Sequence, residues 1–156
     1  MFKNKHYAQA MTAFQQAKRA HEASICYAFL LREDARAIPD NQAREKADAF
    51  AKAGDKFSVC ANESQSHQKR ERLAYHTNAA ECFVLAHRLK EAGSCFLRAE
   101  KYSKAAHAYR EGGNFDEMVE VLEEHRDQIE ANVLAQLTKV AQMNYFKVGR
   151  PSIMRN

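Results

Sequence analysis

The sequence predicts an all-α fold, namely a right-handed solenoid of αα-hairpins with about seven to eight short antiparallel helices. Two prolines and five glycines in 156 residues are too few for the many turns of a β-sandwich or β-barrel. Alanine, glutamate, lysine, arginine and glutamine are abundant, and these residues lose little side-chain freedom in a helix. In addition, aromatic rings flanked by small residues recur along the chain.

The recurrent unit is centred on five aromatic anchors, which are Phe14, Phe50, Phe83, Phe96 and Tyr109. Small residues stand three positions after the anchors, at Ala17, Ala53, Ala86, Ala99 and Gly112. They also stand directly before the anchors, at Ala13, Ala49, Cys82, Cys95 and Ala108, and four positions before, at Ala10, Ala79, Ala92 and Ala105, with Lys46 as the exception. Because residues three or four apart share one helix face, each ring lies beside a hollow into which a neighbouring helix can pack. Such short helices are unstable alone but bury a continuous core when stacked.

The spacing of the anchors sets the predicted elements. Phe83, Phe96 and Tyr109 are 13 residues apart, which fits a helix of about three turns and a tight connection. We predict helices near residues 4–17, 20–37, 41–53, 55–61, 75–87, 89–99, 102–112, 115–126 and 131–147. Because Arg150-Pro151 should end the last helix, residues 1–148 form a single domain and residues 149–156 a disordered tail.

Turn and capping residues place several of these boundaries. Glycine tolerates the left-handed conformation that ends helices, which predicts helix ends at Gly54 and at Gly112-Gly113. Side-chain caps are predicted at Asp40, Asp55 and Asn114, the last in a capping box with Glu117. The polar run 62–67 is predicted to be a loop or a frayed helix end.

The net charge of +4 is unevenly distributed. Residues 1–110 contain 19 Lys or Arg against 12 Asp or Glu, which is a balance of +7, whereas residues 111–130 contain eight acids against Arg126 alone. This separation either steers a partner into one orientation or reflects solvated helix faces. Lys3, Lys5 and His6 interrupt any N-terminal signal core, and no apolar run approaches bilayer length, so we expect an intracellular protein, cytoplasmic or nuclear.

The four cysteines do not predict a metal site. Cys26, Cys60, Cys82 and Cys95 lack the paired spacing that a zinc knuckle needs. Cys82 and Cys95 occupy the small-residue position directly before an anchor, where cysteine acts as a small buried hydrophobe. Disulfides are not expected in a reducing compartment.

No catalytic site or cofactor is predicted either. His125-Arg126-Asp127 followed by Asn132 has the spacing of a protein-kinase catalytic loop, but the phosphate loop and the metal-binding triplet of kinases are absent. The chain also has neither a nucleotide-binding phosphate loop nor a nucleophile elbow. We therefore expect a protein without enzymatic activity.

A basic cluster is the one candidate contact patch. It consists of Lys69, Arg70 and Arg72, interrupted by Glu71. Clustered cations can contact phosphates, but the nearest ring, Tyr75, lies on the periodic core face and is not free to stack on a base. The cluster is either a contact patch or the exposed start of a helix.

The aligned anchors resemble tetratricopeptide-like helical repeats and are similar to the solenoids of vesicle-trafficking adaptors and coats. The resemblance is carried by Ala79-Ala80-Glu81-Cys82-Phe83, Glu91-Ala92-Gly93-Ser94-Cys95-Phe96-Leu97-Arg98-Ala99 and Tyr102-Ser103-Lys104-Ala105-Ala106-His107-Ala108-Tyr109. It implies a binding module rather than an enzyme.

Other segments resemble the helical region of fungal TPR and ankyrin repeat-containing proteins related to UvrD-like superfamily 1 helicases. These segments are Phe2-Lys3-Asn4-Lys5-His6-Tyr7-Ala8-Gln9-Ala10-Met11, Gly113-Asn114-Phe115-Asp116-Glu117-Met118-Val119 and His125-Arg126-Asp127. The resemblance covers most of the chain and implies an accessory solenoid attached to a motor, with no catalytic residue carried over.

The leading functional expectation is a protein-interaction scaffold, whose protein partner the sequence does not identify. The alternatives are a nucleic-acid-binding helical array that assists a helicase and an adaptor-like trafficking solenoid. The repeat pattern is already present at Tyr7, with no polar capping helix before it. Likewise, no helix is predicted after Tyr145-Phe146 to cover these two rings. We therefore expect either neighbouring segments in a larger protein or self-association through the solenoid ends.

Overall fold

The computed structural model describes residues 2–147, with side chains described for residues 6–146, and this part of the chain is all-helical. It contains eight α-helices, which are α1 Phe2–Gln16, α2 Ala20–Ala37, α3 Ala43–Glu63, α4 Lys69–Leu85, α5 Leu89–Arg98, α6 Tyr102–Glu111, α7 Phe115–Glu124 and α8 Ala131–Lys147, together with a 3-10 turn at Arg126–Gln128. Each helix packs mainly on the helices before and after it in the chain. The prediction of an all-α, solenoid-like fold is confirmed, and the hand of the array stays a prediction.

Contacts between named residues show how the hairpins are arranged. Gly112, directly after α6, lies beside Leu89 at the start of α5, so these two helices are antiparallel. The Ser58 hydroxyl of α3 lies 3.7 Å from the Cys95 sulfur of α5, so alternate helices also touch. Consecutive helices therefore form hairpins, and the hairpins stack on one another.

Four helices end in the same main-chain motif. A residue with φ between 58° and 74° follows each of them, at Lys18, His87, Glu100 and Gly113. The next backbone N–H donates to the carbonyl of the anchor five residues earlier, at 2.8–2.9 Å, in the pairs Arg19–Phe14, Arg88–Phe83, Lys101–Phe96 and Asn114–Tyr109. Together these features define a Schellman motif. Each of these anchors thus also closes the end of its own helix, which explains the 13-residue spacing.

The rings of four anchors are buried, namely those of Phe50, Phe83, Phe96 and Tyr109. Phe14 is only half-buried, and its neighbours Ala13 and Ala17 are exposed. One core cluster extends from α2 to α6 and a second from α6 to α8, and the side chain of Leu97 packs against both. The core is therefore continuous along the array from α2 to α8.

The prediction that Gly54 separates two helices is wrong. The predicted helices 41–53 and 55–61 form the single helix α3, Ala43–Glu63. A Cβ atom at Gly54 would lie 3.1 Å from three atoms of the Phe83 ring. This glycine therefore allows a ring of α4 to approach the α3 backbone and does not end a helix.

The predicted side-chain caps are also wrong. Gln42, not Asp40, is the N-cap of α3, and Asp40 instead accepts a hydrogen bond from the Lys46 ammonium at 2.7 Å. Asp55 lies inside α3, and Asn114 is the N-cap of α7 without making a side-chain capping bond.

The loop predicted around the polar run 62–67 is shorter in the structure. Helix α3 extends to Glu63, and α4 begins at Lys69 rather than near residue 75. The basic cluster therefore lies in the first turn of α4. The tail predicted for residues 149–156, and the helix end at Arg150-Pro151, lie outside the described residues.

Truncation of a buried anchor tests the core. We expect Phe83→Ala to lower the free energy of unfolding by about 3–5 kcal/mol, because it leaves a cavity over Gly54. Phe146→Ala is the matched control, since that ring is 85% exposed and its loss should change stability by less than about 0.5 kcal/mol. Urea unfolding of dilute protein, followed by circular dichroism, measures both. An unchanged midpoint for Phe83→Ala would contradict the assignment of the anchors.

A second prediction concerns the contact between a ring and a glycine. A Cβ atom at Gly93 would lie 2.6 Å from Cε1 of Tyr109, and the Tyr109 hydroxyl lies 3.1 Å from the Ser94 hydroxyl, which holds the ring in place. We expect Gly93→Ala to destabilise by about 1–3 kcal/mol, although alanine raises helix propensity by about 1 kcal/mol. In a Tyr109→Leu background the same substitution should be neutral or stabilising. An equal loss in both backgrounds, measured by urea unfolding, would show that the ring is not the cause.

Candidate interaction surface

An open groove of about 500 Å³ lies between α4 and the turn that joins α5 to α6. It is lined by Arg70, Leu73, Ala74, Thr77 and Asn78 from α4 and by Ala99, Glu100 and Lys101 from the turn. The α4 residues are three or four positions apart and therefore share one face of the helix. Glu100 has the left-handed conformation and lies between Ala99 and Lys101 in the turn. The volume lies within the range typical of ligand sites in proteins.

The lining of this groove is amphipathic. Leu73 and Ala74 supply apolar surface, and the Asn78 amide can both donate and accept hydrogen bonds. The Thr77 hydroxyl already donates to the Leu73 carbonyl at 2.9 Å. Two cations, Arg70 and Lys101, and one anion, Glu100, lie in the lining, and Glu100 is paired with Lys69 at 3.4 Å. This combination suits a chain segment that carries both apolar and acidic side chains.

The three residues of the predicted basic cluster do not act together. The Lys69 ammonium lies 3.4 Å from the Glu100 carboxylate, so its charge is largely compensated. Arg70 lines the groove with Lys101. Arg72 lies about 200° around the helix from Arg70 and faces away from the groove. The structure therefore pairs Arg70 with Lys101, a residue that the sequence analysis did not select.

The sequence did hold a signal for Lys101. At the four Schellman motifs, the residue five positions after the anchor is Arg19, Arg88, Lys101 or Asn114, and its N–H closes the motif. A basic side chain therefore stands at this position in three of the four turns. An equivalent groove of about 500 Å³ lies at the start of α5, where His87, Arg88, Lys90 and Glu91 face Gly112 and Asn114. Its lining is more polar, and only Leu89 contributes a large apolar side chain.

His76 is a buried histidine on α4, with 5% of its surface exposed, and its Nδ1 atom has no hydrogen-bond partner. Burial lowers its pKa from the ordinary value of 6.5, and the positive charges of Arg98 and Arg72 lower it further. The imidazole is therefore neutral in the folded protein near pH 7.

A buried carboxylate and two arginines form a second polar cluster, on α2. Glu33 accepts a hydrogen bond of 2.7 Å from Nη1 of Arg36, and Nε of Arg32 lies 3.9 Å from the same oxygen. The Arg32 guanidinium also lies 4.8 Å from the ring centroid of Phe29 and 5.5 Å from that of Phe57. The contact between the Arg32 guanidinium and the Phe57 ring thus links this cluster on α2 to α3. The cluster is structural, and the sequence pattern gave no sign of it.

The cysteines are packing residues in the structure. All four are free thiols, and Cys60, Cys82 and Cys95 are buried. Burial raises the pKa of Cys60 and of Cys82 to about 11, so both are protonated at neutral pH and are poor nucleophiles and poor metal ligands. Within residues 6–146, no three His, Cys, Asp or Glu side chains are placed to hold a metal ion.

The segment with kinase-like spacing has a packing role at His125. Its imidazole stacks on the Tyr102 ring, with ring centroids 3.8 Å apart and planes 13° from parallel. Its Nδ1 lies 3.4 Å from the Gln128 amide oxygen. Asp127 is exposed in the 3-10 turn that follows. His125 thus joins the end of α7 to the start of α6.

Comparison with models of protein families, with curated proteins and with solved structures gave no match to this chain. The similarities to tetratricopeptide-like repeats and to helicase-associated helical segments therefore stay at the level of an expectation drawn from the sequence. None of the helices in the described part of the chain combines the length and the apolar character needed to cross a bilayer.

The lowered pKa of His76 predicts how the stability of the protein depends on pH. Because the unfolded state binds the proton more tightly, protonation of His76 favours unfolding. The contribution of neutral His76 to the free energy of unfolding is fully present above its ordinary pKa of 6.5 and is lost as the pH falls below that value. The free energy of unfolding should thus fall more between about pH 7 and about pH 5 in the native protein than in His76→Gln. His67→Gln, which changes an exposed histidine, should behave like the native protein. Equal losses in the native protein and in His76→Gln, measured by urea unfolding, would contradict the prediction.

Proposed function

We propose that this chain is a non-catalytic protein-interaction scaffold whose groove between α4 and the α5–α6 turn binds an extended acidic segment of a partner protein. The observation that supports it is the groove itself, which brings apolar surface, the Asn78 amide and two cations beside the Lys69–Glu100 ion pair into one open cleft. Side chains of a peptide need apolar surface for affinity and a few placed polar groups for orientation. Arg70 and Lys101 favour acidic side chains over basic ones.

Both walls of the groove belong to the repeat. Its α4 wall belongs to the helix that carries the buried anchor Phe83. The opposite wall is held by the hydrogen bond that the Lys101 N–H donates to the Phe96 carbonyl at 2.9 Å. A preformed groove does not have to be ordered when a partner binds, which favours affinity.

A nucleic-acid ligand is the weaker alternative. Lys69 is paired with Glu100, Arg72 faces away, and none of the eight residues that line the groove is aromatic. Single-stranded nucleic acids bind through strips of cations interleaved with stacking rings. The groove meets neither requirement well.

The larger setting of the scaffold is proposed on resemblance alone. If the similarity to helicase-associated helical segments reflects common descent, the array is an accessory element of a motor protein and recruits a partner to it. If the similarity to trafficking adaptors reflects common descent, the array links components of a coat. Both settings use the same binding groove, so one binding experiment informs each of them.

Selection from a displayed library of random peptides tests the proposal. We expect enrichment of acidic sequences that contain apolar residues, and at least about tenfold weaker affinity for Arg70→Glu/Lys101→Glu, because two attractive charges become repulsive. The matched control is Arg110→Glu/Lys104→Glu, which makes the same charge change on exposed α6 residues outside the groove. Fluorescence anisotropy of the selected peptides measures these affinities.

Two results would overturn the proposal. One is a selection that yields no binder. The other is binding that the groove and control variants weaken equally, since only the net charge would then matter. Tight binding of mixed-sequence single-stranded DNA that weakens steeply with salt would support the nucleic-acid alternative instead.

A further inference from the structure

The groove between α4 and the α5–α6 turn has one charged end. The Lys69 ammonium lies 3.4 Å from the Glu100 carboxylate, which places the turn beside the first turn of α4. Arg70 and Lys101 follow these two residues in the chain and therefore lie at the same end of the groove. Because Lys69 and Glu100 compensate each other, this end has a net positive charge from Arg70 and Lys101.

The opposite end of the groove lies further along α4 and is uncharged. Thr77 and Asn78 line it, and they follow Arg70 by seven and eight residues. At a rise of about 1.5 Å per residue, they are about 10–12 Å from Arg70 along the helix axis. Their hydroxyl and amide groups can form hydrogen bonds but carry no charge. An acidic side chain of a ligand is therefore attracted to the Arg70 end and not to this one.

A carboxylate beyond the uncharged end strengthens this asymmetry. Glu81 is exposed and follows Arg70 by eleven residues, which is about three full turns of an α-helix. It therefore stands on the side of α4 that lines the groove, about one turn beyond Asn78. Its charge repels an acidic ligand residue from that end, whereas Arg70 and Lys101 attract such a residue to the other end.

The apolar part of the groove lies between its two ends. Leu73 and Ala74 follow Arg70 by three and four residues, so they are about 4–6 Å further along the helix axis. Thr77 and Asn78 are about 6 Å further again. In an extended peptide, alternate side chains point to the same side and are about 6.6 Å apart. The three parts of the groove are thus spaced like alternate residues of an extended ligand.

On the basis of the proposed function, we propose further that the groove selects three alternate residues of its ligand, in the pattern acidic–x–apolar–x–polar or its reverse. The acidic residue contacts Arg70 and Lys101. The apolar residue, two positions away, packs on Leu73 and Ala74. The uncharged polar residue, two positions further, forms a hydrogen bond with the Asn78 amide. The intervening residues point away from α4 and are not selected.

Permutation of a peptide selected from the displayed library tests the spacing. In the tightest binder, the acidic residue is exchanged with the residue between it and the apolar one, which leaves composition and net charge unchanged. Binding to the native protein should weaken at least about fivefold, because the carboxylate then points away from Arg70 and Lys101. The control peptide exchanges two residues outside the pattern and should bind like the original. Fluorescence anisotropy measures the three affinities.

Asn78→Arg tests the order of the pattern along α4. The variant has a cation at the end of the groove that lacks one, so the same library should now yield a second acidic residue at the polar position. A native-selected peptide with glutamate at that position should bind the variant at least about fivefold more tightly than it binds the native protein. Leu85→Arg adds the same charge at an exposed α4 position outside the groove and should leave the selected pattern unchanged. Circular dichroism verifies that both variants are folded.

The outcomes separate this pattern from the proposed function. Acidic peptides that bind equally well before and after permutation would overturn the pattern and leave the binding of acidic segments intact. The pattern would also be wrong if Asn78→Arg selected the same peptides as the native protein, or if Leu85→Arg produced the same change as Asn78→Arg. A selection that yields no binder would overturn both the pattern and the proposed function. The permutation uses the native protein and therefore decides even if a variant does not fold.

Discussion

The architecture depends on one contact, in which an aromatic ring of one helix packs over a small residue of its neighbour. Gly54 and Gly93 leave room for the rings of Phe83 and Tyr109 to approach the backbone of the preceding helix. Helices of about ten residues, such as α5, α6 and α7, have too few hydrogen bonds to be stable in isolation. Such helices gain stability from packing on their neighbours, and these rings join α4 to α3 and α6 to α5.

Much of the fold could be predicted because this contact leaves a trace in the sequence. A ring next to small residues at helical spacing is recognisable without coordinates, and the 13-residue interval fixes the length of α5 and α6. The predicted boundaries of these helices agree with the structure to within about one residue. The pattern is informative here because the same residues, such as Phe96, both fill the core and accept the hydrogen bond that ends the helix.

Other features depend on neighbours distant in the sequence, and local patterns could not show them. The residues around Gly54 suggest a helix end. In the structure this glycine instead makes room for the Phe83 ring, which is 29 residues later in the chain. Glu33 is buried, although its local sequence is that of an exposed helix face. The candidate groove combines α4 with the α5–α6 turn, so Arg70 was selected from a basic cluster, whereas Lys101, which faces the same groove, was not.

The four Schellman turns have a consequence for how such an array can change over time. Three of the four left-handed positions carry Lys18, His87 and Glu100 instead of glycine, at a cost of about 1 kcal/mol each. The turns keep their shape nonetheless, because main-chain hydrogen bonds and a buried ring define them. Side chains at these corners are therefore free to vary in charge and size while the frame stays fixed. Single substitutions can thus change the surface of these corners without altering the interior of the array.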